Sequence, residues 1–104
     1  MNYDDLQLKL DPDSHRMELE INGNIAFIEY KFKNNNLFLI HTEVPAALEG
    51  KGAGTAIAQK ALQFARDNNY KIIPICPFLQ RYLKRHPEWN DLVSPDADRF
   101  LHKK

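Results

Sequence analysis

The chain is 104 residues long with 14 Lys and Arg against 14 Asp and Glu, so it has no global field to draw nucleic acid or an anionic membrane. Its hydrophobic share of 43% suffices for one modest core, and no apolar run approaches the roughly eighteen residues of a membrane span. Cys76 is the only cysteine, which excludes an internal disulfide and fits a reducing, cytoplasmic setting; the acidic start MNYDDLQLKLD does not read as a signal peptide. A single domain over 1–104 is predicted.

Leu6 to Leu10 alternates with polar residues and predicts a short first strand, closed by the turn cluster Asp11-Pro-Asp-Ser14. Arg16 to Ile21 alternates strictly, with Met17, Leu19 and Ile21 on one face. Asn22-Gly23-Asn24 predicts a hairpin turn into a strand over Ile25 to Lys33, with Ala26, Ile28, Tyr30 and Phe32 sharing a face. Asn34-Asn35-Asn36 predicts another turn, and Leu37 to Val44 the next strand of an antiparallel meander. From Thr55 to Asn69 the period changes: Ile57, Ala58, Ala61, Leu62, Phe64 and Ala65 form the stripe of a helix.

Lys71 to Cys76 follows as an apolar strand, and strand, helix and strand in that order predict a right-handed crossover with the two strands parallel. Pro74 donates no ladder hydrogen bond and marks an edge or an interruption. Pro77 suits the first position of a second helix, Phe78 to His86, with Phe78, Leu79, Tyr82 and Leu83 inward. Arg81, Lys84 and Arg85 share its outer face, and Pro87 stops it. Glu88–Val93 and Asp96–Lys104 are expected to be short helical or irregular segments, with Trp89 as a lid on the C-terminal core. The sum is α+β, a mostly antiparallel mixed sheet with one parallel βαβ crossover.

Glu49-Gly-Lys-Gly-Ala-Gly54 lies between strand and helix, where unpaired N–H groups and the helix dipole favour an anion. The nucleotide-triphosphate loop requires a Gly-Lys-Ser/Thr end, which Gly54-Thr55 lacks, and the dinucleotide fingerprint requires a wider spacing than Gly52-Ala53-Gly54. Cys76 ends the strand after the crossover, ahead of a helix whose dipole favours a nucleophilic sulfur; an inert packed cysteine is the alternative. His41 and Glu43 stand two apart on a strand and project to one face, either as a base for an acceptor amine or as a plain solvent-facing edge. His15, His86 and His102 show no metal-ligand spacing, and no metal is expected.

His41-Thr-Glu-Val-Pro45, Gly50-Lys-Gly-Ala-Gly54, Pro74-Ile-Cys-Pro-Phe78 and Arg85-His-Pro-Glu88 together resemble the short Yjdj-type domains of the GNAT N-acetyltransferases, in the same order and across about half the chain. The resemblance implies a GNAT fold and acetyl-CoA as cofactor. It also implies a pyrophosphate on the N–H groups of Gly50, Lys51, Gly52, Ala53, Gly54 and Thr55, with the pantetheine arm between splayed parallel strands. The backbone of Val44 would bond that arm, and Cys76 would lie near the acetyl group. Lys51 either reaches the phosphates or is solvated; Tyr82 packs beside the thioester or in the core; Arg85, with its neighbours, holds the 3′-phosphate, an acceptor carboxylate, or water. Glu49 departs from the family pattern and is not carried over as a ligand. The implied activity is transfer of acetyl to an unidentified amine, small or protein-borne, by a monomer or weak homodimer. The turn at Asp11–Ser14 leaves no room for the helices that usually wall the acceptor pocket, so a non-catalytic CoA-binding module acting with a partner is the alternative. A thiol-transfer protein is weaker, because no resolving cysteine is present.

Overall fold

A computed structural model describes residues 3–101 and places five strands in one sheet, in sequential order. β1 (Lys9–Asp11), β2 (Arg16–Ile21), β3 (Asn24–Lys33) and β4 (Asn36–Glu43) are antiparallel neighbours, and β5 (Lys71–Pro74) runs parallel to β4. The two long hairpins turn on left-handed pairs, Asn22 and Gly23 at φ 51° and 81° and Asn34 and Asn35 at 53° and 63°. Two such residues complete each reversal, so Asn36 belongs to β4 rather than to the turn.

Helices α1 (Ala53–Asp67) and α2 (Pro77–Arg85) cover one face of the sheet. Met17, Leu19, Ala26, Ile28, Leu37, Leu39 and Ile72 meet Ile57, Ala58, Ala61, Leu62 and Ala65 of α1 and Leu79, Tyr82 and Leu83 of α2. The alanines of α1 let its backbone lie close to the strands, with Leu62 and Ile57 filling the space between. The other face carries no long helix. Among the described residues, only the C-terminal segment that includes the short α3 (Asp98–Leu101) folds onto it: Ile73 is buried there, Phe38 meets Phe100 edge to face at 5.0 Å, and Asn36 donates to Asp96. Trp89 is buried, with the Arg66 guanidinium over its ring at 4.6 Å. No helix among the described residues is long and apolar enough to cross a membrane.

Three elements, β1, α1 and β5, differ most in their bounds from the sequence reading. The predicted first strand, Leu6–Leu10, is β-paired only from Lys9, because β2 offers it only Arg16, Met17 and Glu18; Leu6 and Leu8 pack on the core without a ladder. The predicted helix start at Thr55 moves back to Ala53, and the helix ends at Asp67, where Asn68 returns its side-chain amide to the Phe64 carbonyl at 2.8 Å. The predicted strand Lys71–Cys76 stops at Pro74. Phe32 shares the helix-side face as predicted yet is 49% exposed, resting against the Tyr70 ring at 4.5 Å. Of the residues predicted in the last segment, Asp96–Lys104, and among the histidines, those from His102 onward lie outside the described residues.

Candidate functional site

β4 outlasts its partner. The parallel pairing ends at Leu39 opposite Pro74, while β4 continues to Glu43 with β3 on one flank and no strand on the other. The Leu39 carbonyl closes the ladder by accepting the amides of both Ile75 and Cys76 at 3.0 Å each. Pro74 and Ile75, turning away, give their carbonyls to the side-chain amide of Gln80, at 3.0 and 3.2 Å. The strands therefore part with the polar groups of the β5 side satisfied from α2, as buried backbone requires.

The parting coincides with a bulge. Glu29 pairs with His41 and Tyr30 with Leu39, so Ile40 is an extra residue in β4. Leu39 faces the helices; after the extra residue Thr42 faces them too, while His41 and Glu43 face away. Cys76 and the pair His41 and Glu43 thus lie on opposite faces of the sheet. Cys76, 4% exposed, lies on the helix side and donates its Sγ hydrogen to Thr42 Oγ1 at 3.4 Å across the gap. His41 Nε2 and Glu43 Oε1, 2.7 Å apart, sit on the face opposite α1 and α2, beside the Phe27 ring.

The glycine loop meets the mouth of this gap. Gly50 and Gly52 hold φ 75° and 79°, a conformation that disfavours any side chain. Gly54 is needed for another reason: inside the first turn of α1, a Cβ would lie 3.1 Å from Phe78 Cζ and 3.7 Å from Val44 Cγ2. The first turn of α1 is thereby wedged between the end of β4 and the start of α2. The Lys51 amide returns to the Leu48 carbonyl at 3.3 Å, and the Lys51 carbonyl accepts the Tyr3 hydroxyl at 2.8 Å. The amides of Gly50, Gly52, Ala53, Gly54 and Thr55 meet no backbone carbonyl among the described residues, and no side chain caps α1. These donors, at the positive end of a 15-residue helix, form an anion cradle.

Beside the cradle is a cavity of about 120 Å³ lined by Thr55, Phe78, Arg81, Tyr82, Arg85 and His86. It brings Thr55, Tyr82 and Arg85 together, with the guanidinium groups of Arg81 and Arg85 beside the first turn of α1. Tyr82 stacks on His86 at 4.2 Å. Burial holds the Tyr82 phenol above its ordinary pKa of 10.0, opposed by a hydrogen bond with Trp89 and reinforced by the charge of Glu88. The phenol is neutral at physiological pH and can donate. The open amides suit a diphosphate such as the one acetyl-CoA carries. No group of three His, Cys, Asp or Glu among the described residues forms a metal site.

A family profile for GCN5-related N-acetyl-transferases matches residues 16–92, most of the sheet and both long helices. The chain belongs to that family. Among similar proteins, the chicken (Gallus gallus) protein NATD1 is 29% identical over 85 residues, 79% of this chain and 77% of its own length. The zebrafish (Danio rerio) NATD1 is 27% identical over 101 residues, 93% of this chain and 86% of its own. The NMR solution structure of a GCN5-like protein from Staphylococcus aureus shares 29% identity with a TM-score of 0.65, covering 88% of this chain and 90% of that one.

Three residues outside the sequence reading complete this GCN5-related site. Thr42 holds the thiol, Gln80 caps the parted strand and Tyr3 anchors the loop. For Gln80 a signal existed, a polar residue one turn beyond a proline-interrupted strand. Tyr3 lies 48 residues from its partner and leaves no local pattern.

Proposed function

We propose that this chain transfers the acetyl group of acetyl-CoA to a primary amine. The observation that carries the reading is the row of open amides at the head of α1, set at the mouth of the gap between β4 and β5. When bound, acetyl-CoA supplies a thioester whose carbonyl carbon is open to a nucleophile. Gly50, Gly52, Ala53, Gly54 and Thr55 hold the diphosphate through their N–H groups, and Lys51, Arg81 and Arg85 add positive charge. The Val44 backbone bonds the amides of the arm, and Tyr82 closes the site from α2.

The acceptor amine enters from the face of His41 and Glu43. It attacks the carbonyl carbon, the new N–C bond forms as the C–S bond breaks, and the proton it sheds passes to His41, which Glu43 orients. The departing sulfur takes up a proton and leaves as a thiol. Cys76, on the coenzyme side, either steadies that sulfur or first receives the acetyl group itself, losing its proton to the departing coenzyme and later yielding the acetyl to the amine. The lone thiol and balanced charge support a cytoplasmic protein working as a monomer or weak homodimer.

A second reading, a CoA-binding module without turnover, is favoured by one observation: β1 passes to β2 through the tight turn of residues 12–15, with no helix to wall an acceptor. Calorimetry with acetyl-CoA and desulfo-CoA tests the cradle, and thiol release across an amine panel tests transfer. Binding of both ligands together with release by the parent chain supports the transferase. Binding without release selects the module, and no binding of either ligand overturns both. Turnover that Cys76→Ala leaves unchanged removes the covalent route.

A further inference from the structure

The face of the sheet opposite α1 and α2 carries a cavity of about 320 Å³ lined by Lys31, Lys33, Phe38, Ile40 and Ile75. That volume lies at the small end of ligand pockets and suits one small molecule rather than a peptide. Phe38, Ile40 and Ile75 make its lining apolar; among the described residues its only charges are the two lysines, and neither pairs with a carboxylate.

Its position is set by features already described. Ile40 is the extra residue of the β4 bulge and Ile75 the first residue beyond β5, so the cavity reaches the point where the two strands part. Charge on this face is divided. The outward residues of β3 run from Glu29, opposite His41, to Lys31, opposite Phe38, and Lys33, opposite Asn36; Glu43 lies beyond His41 on β4. The face therefore carries carboxylates and an imidazole beyond one end of the cavity and the two ammonium groups at the cavity itself.

We propose that this cavity receives the acceptor, and that the acceptor is a small primary amine carrying an apolar body and a carboxylate, the class to which apolar amino acids belong; the inference rests on the transfer reading above. The carboxylate pairs with Lys31 and Lys33, and the apolar body covers Phe38, Ile40 and Ile75. The amine is left facing His41 at the parting of the strands. A simple cationic amine is discriminated against, because the two ammonium groups repel it and the apolar lining strips its water. Those same two effects favour the uncharged amine once the carboxylate has anchored the molecule, and only the uncharged form attacks a thioester.

The probes are L-phenylalanine and 2-phenylethylamine, which differ by the carboxylate alone, titrated into the full chain carrying labelled isoleucine methyls. L-phenylalanine is expected to shift the Ile40 and Ile75 methyls while leaving the core residues Ile28 and Ile57 still, with 2-phenylethylamine binding more weakly. Lys31→Glu together with Lys33→Glu, both exposed and remote from the core, should weaken L-phenylalanine roughly three- to tenfold and invert the preference between the probes. Silent Ile40 and Ile75 methyls, equal affinity for the two probes, or a preference untouched by charge reversal would each overturn the proposal. So would thiol release from acetyl-CoA with 2-phenylethylamine but none with L-phenylalanine. Selective methyl shifts without thiol release from any amine uphold the ligand class of the cavity and sink the transferase reading instead.

Discussion

Replacing Tyr3 by Phe removes one oxygen and tests how the cradle is aimed. The Tyr3 hydroxyl donates to the Lys51 carbonyl at 2.8 Å, and the peptide joining Lys51 to Gly52 is planar and trans, so the Gly52 N–H points opposite to that carbonyl. Gly52 closes this peptide with φ 79°, and glycine tolerates the rotated alternative, in which a carbonyl rather than an N–H would face the anion. Lys51 is exposed, so water replaces the lost bond and the cost to stability stays near the low end for a hydrogen bond, about 0.5–1 kcal/mol. For a domain of this size that is a fall in Tm of roughly 2–8 °C. The cost to binding is expected to be larger, a rise in the Kd for CoA of about three- to tenfold, because a donor to a charged oxygen loses its fixed direction. Calorimetry gives the Kd, and an amide spectrum reports Gly52 against Gly23 as an internal control in a distant hairpin. An affinity within twofold of the parent and an unmoved Gly52 resonance would refute the reasoning.

The loop glycines should respond differently to alanine in urea unfolding. Gly52→Ala meets open space but must hold a left-handed backbone, a loss of about 1–2 kcal/mol. Gly54→Ala gains up to about 1 kcal/mol of helix propensity and spends it moving the half-buried Phe78 ring, so a net change within about 0.5 kcal/mol is expected. Burial holds the Tyr82 phenol above its ordinary pKa of 10.0, so its contribution to stability is complete below pH 10 and is lost as pH rises through the higher folded value. Tyr82→Phe should flatten the alkaline fall in Tm, though not abolish it, since burial and Asp11 also raise Tyr30. Thr42→Val keeps the shape and removes the acceptor of the Cys76 Sγ bond; the rate of Cys76 alkylation should change while Tm moves by only a few degrees.

Patterns that one face of one element dictates were readable in the sequence. Met17, Leu19 and Ile21 alternate because β2 is buried on one side only, and the α1 stripe repeats because it covers a flat sheet. Pro77 correctly announced α2 and placed Cys76 at its head. Properties of pairing between distant segments were not readable. Whether Leu6–Leu10 forms a ladder depends on how much of β2 reaches it, and the β4 bulge is a mismatch in register that neither strand reveals by itself. The same holds for the site. His41 and Glu43 were correctly put on one face, but which compartment that face borders depends on the extra residue before them. The helix start shifted because Gly52, left-handed itself, hands the chain directly to Ala53.

Ile40 acts on β4 as a half-step acts on a zipper: teeth before it and teeth after it mesh with opposite sides. Upstream, Leu37 and Leu39 belong to the interior; downstream, the imidazole is turned outdoors while the threonine hydroxyl stays indoors with the thiol. Were Ile40 instead paired in strict alternation, the two would swap, sending His41 under the helices and stranding Cys76 without its oxygen. A single unpaired position thus lets eight residues of strand build a wall at one end and a doorway with two distinct thresholds at the other.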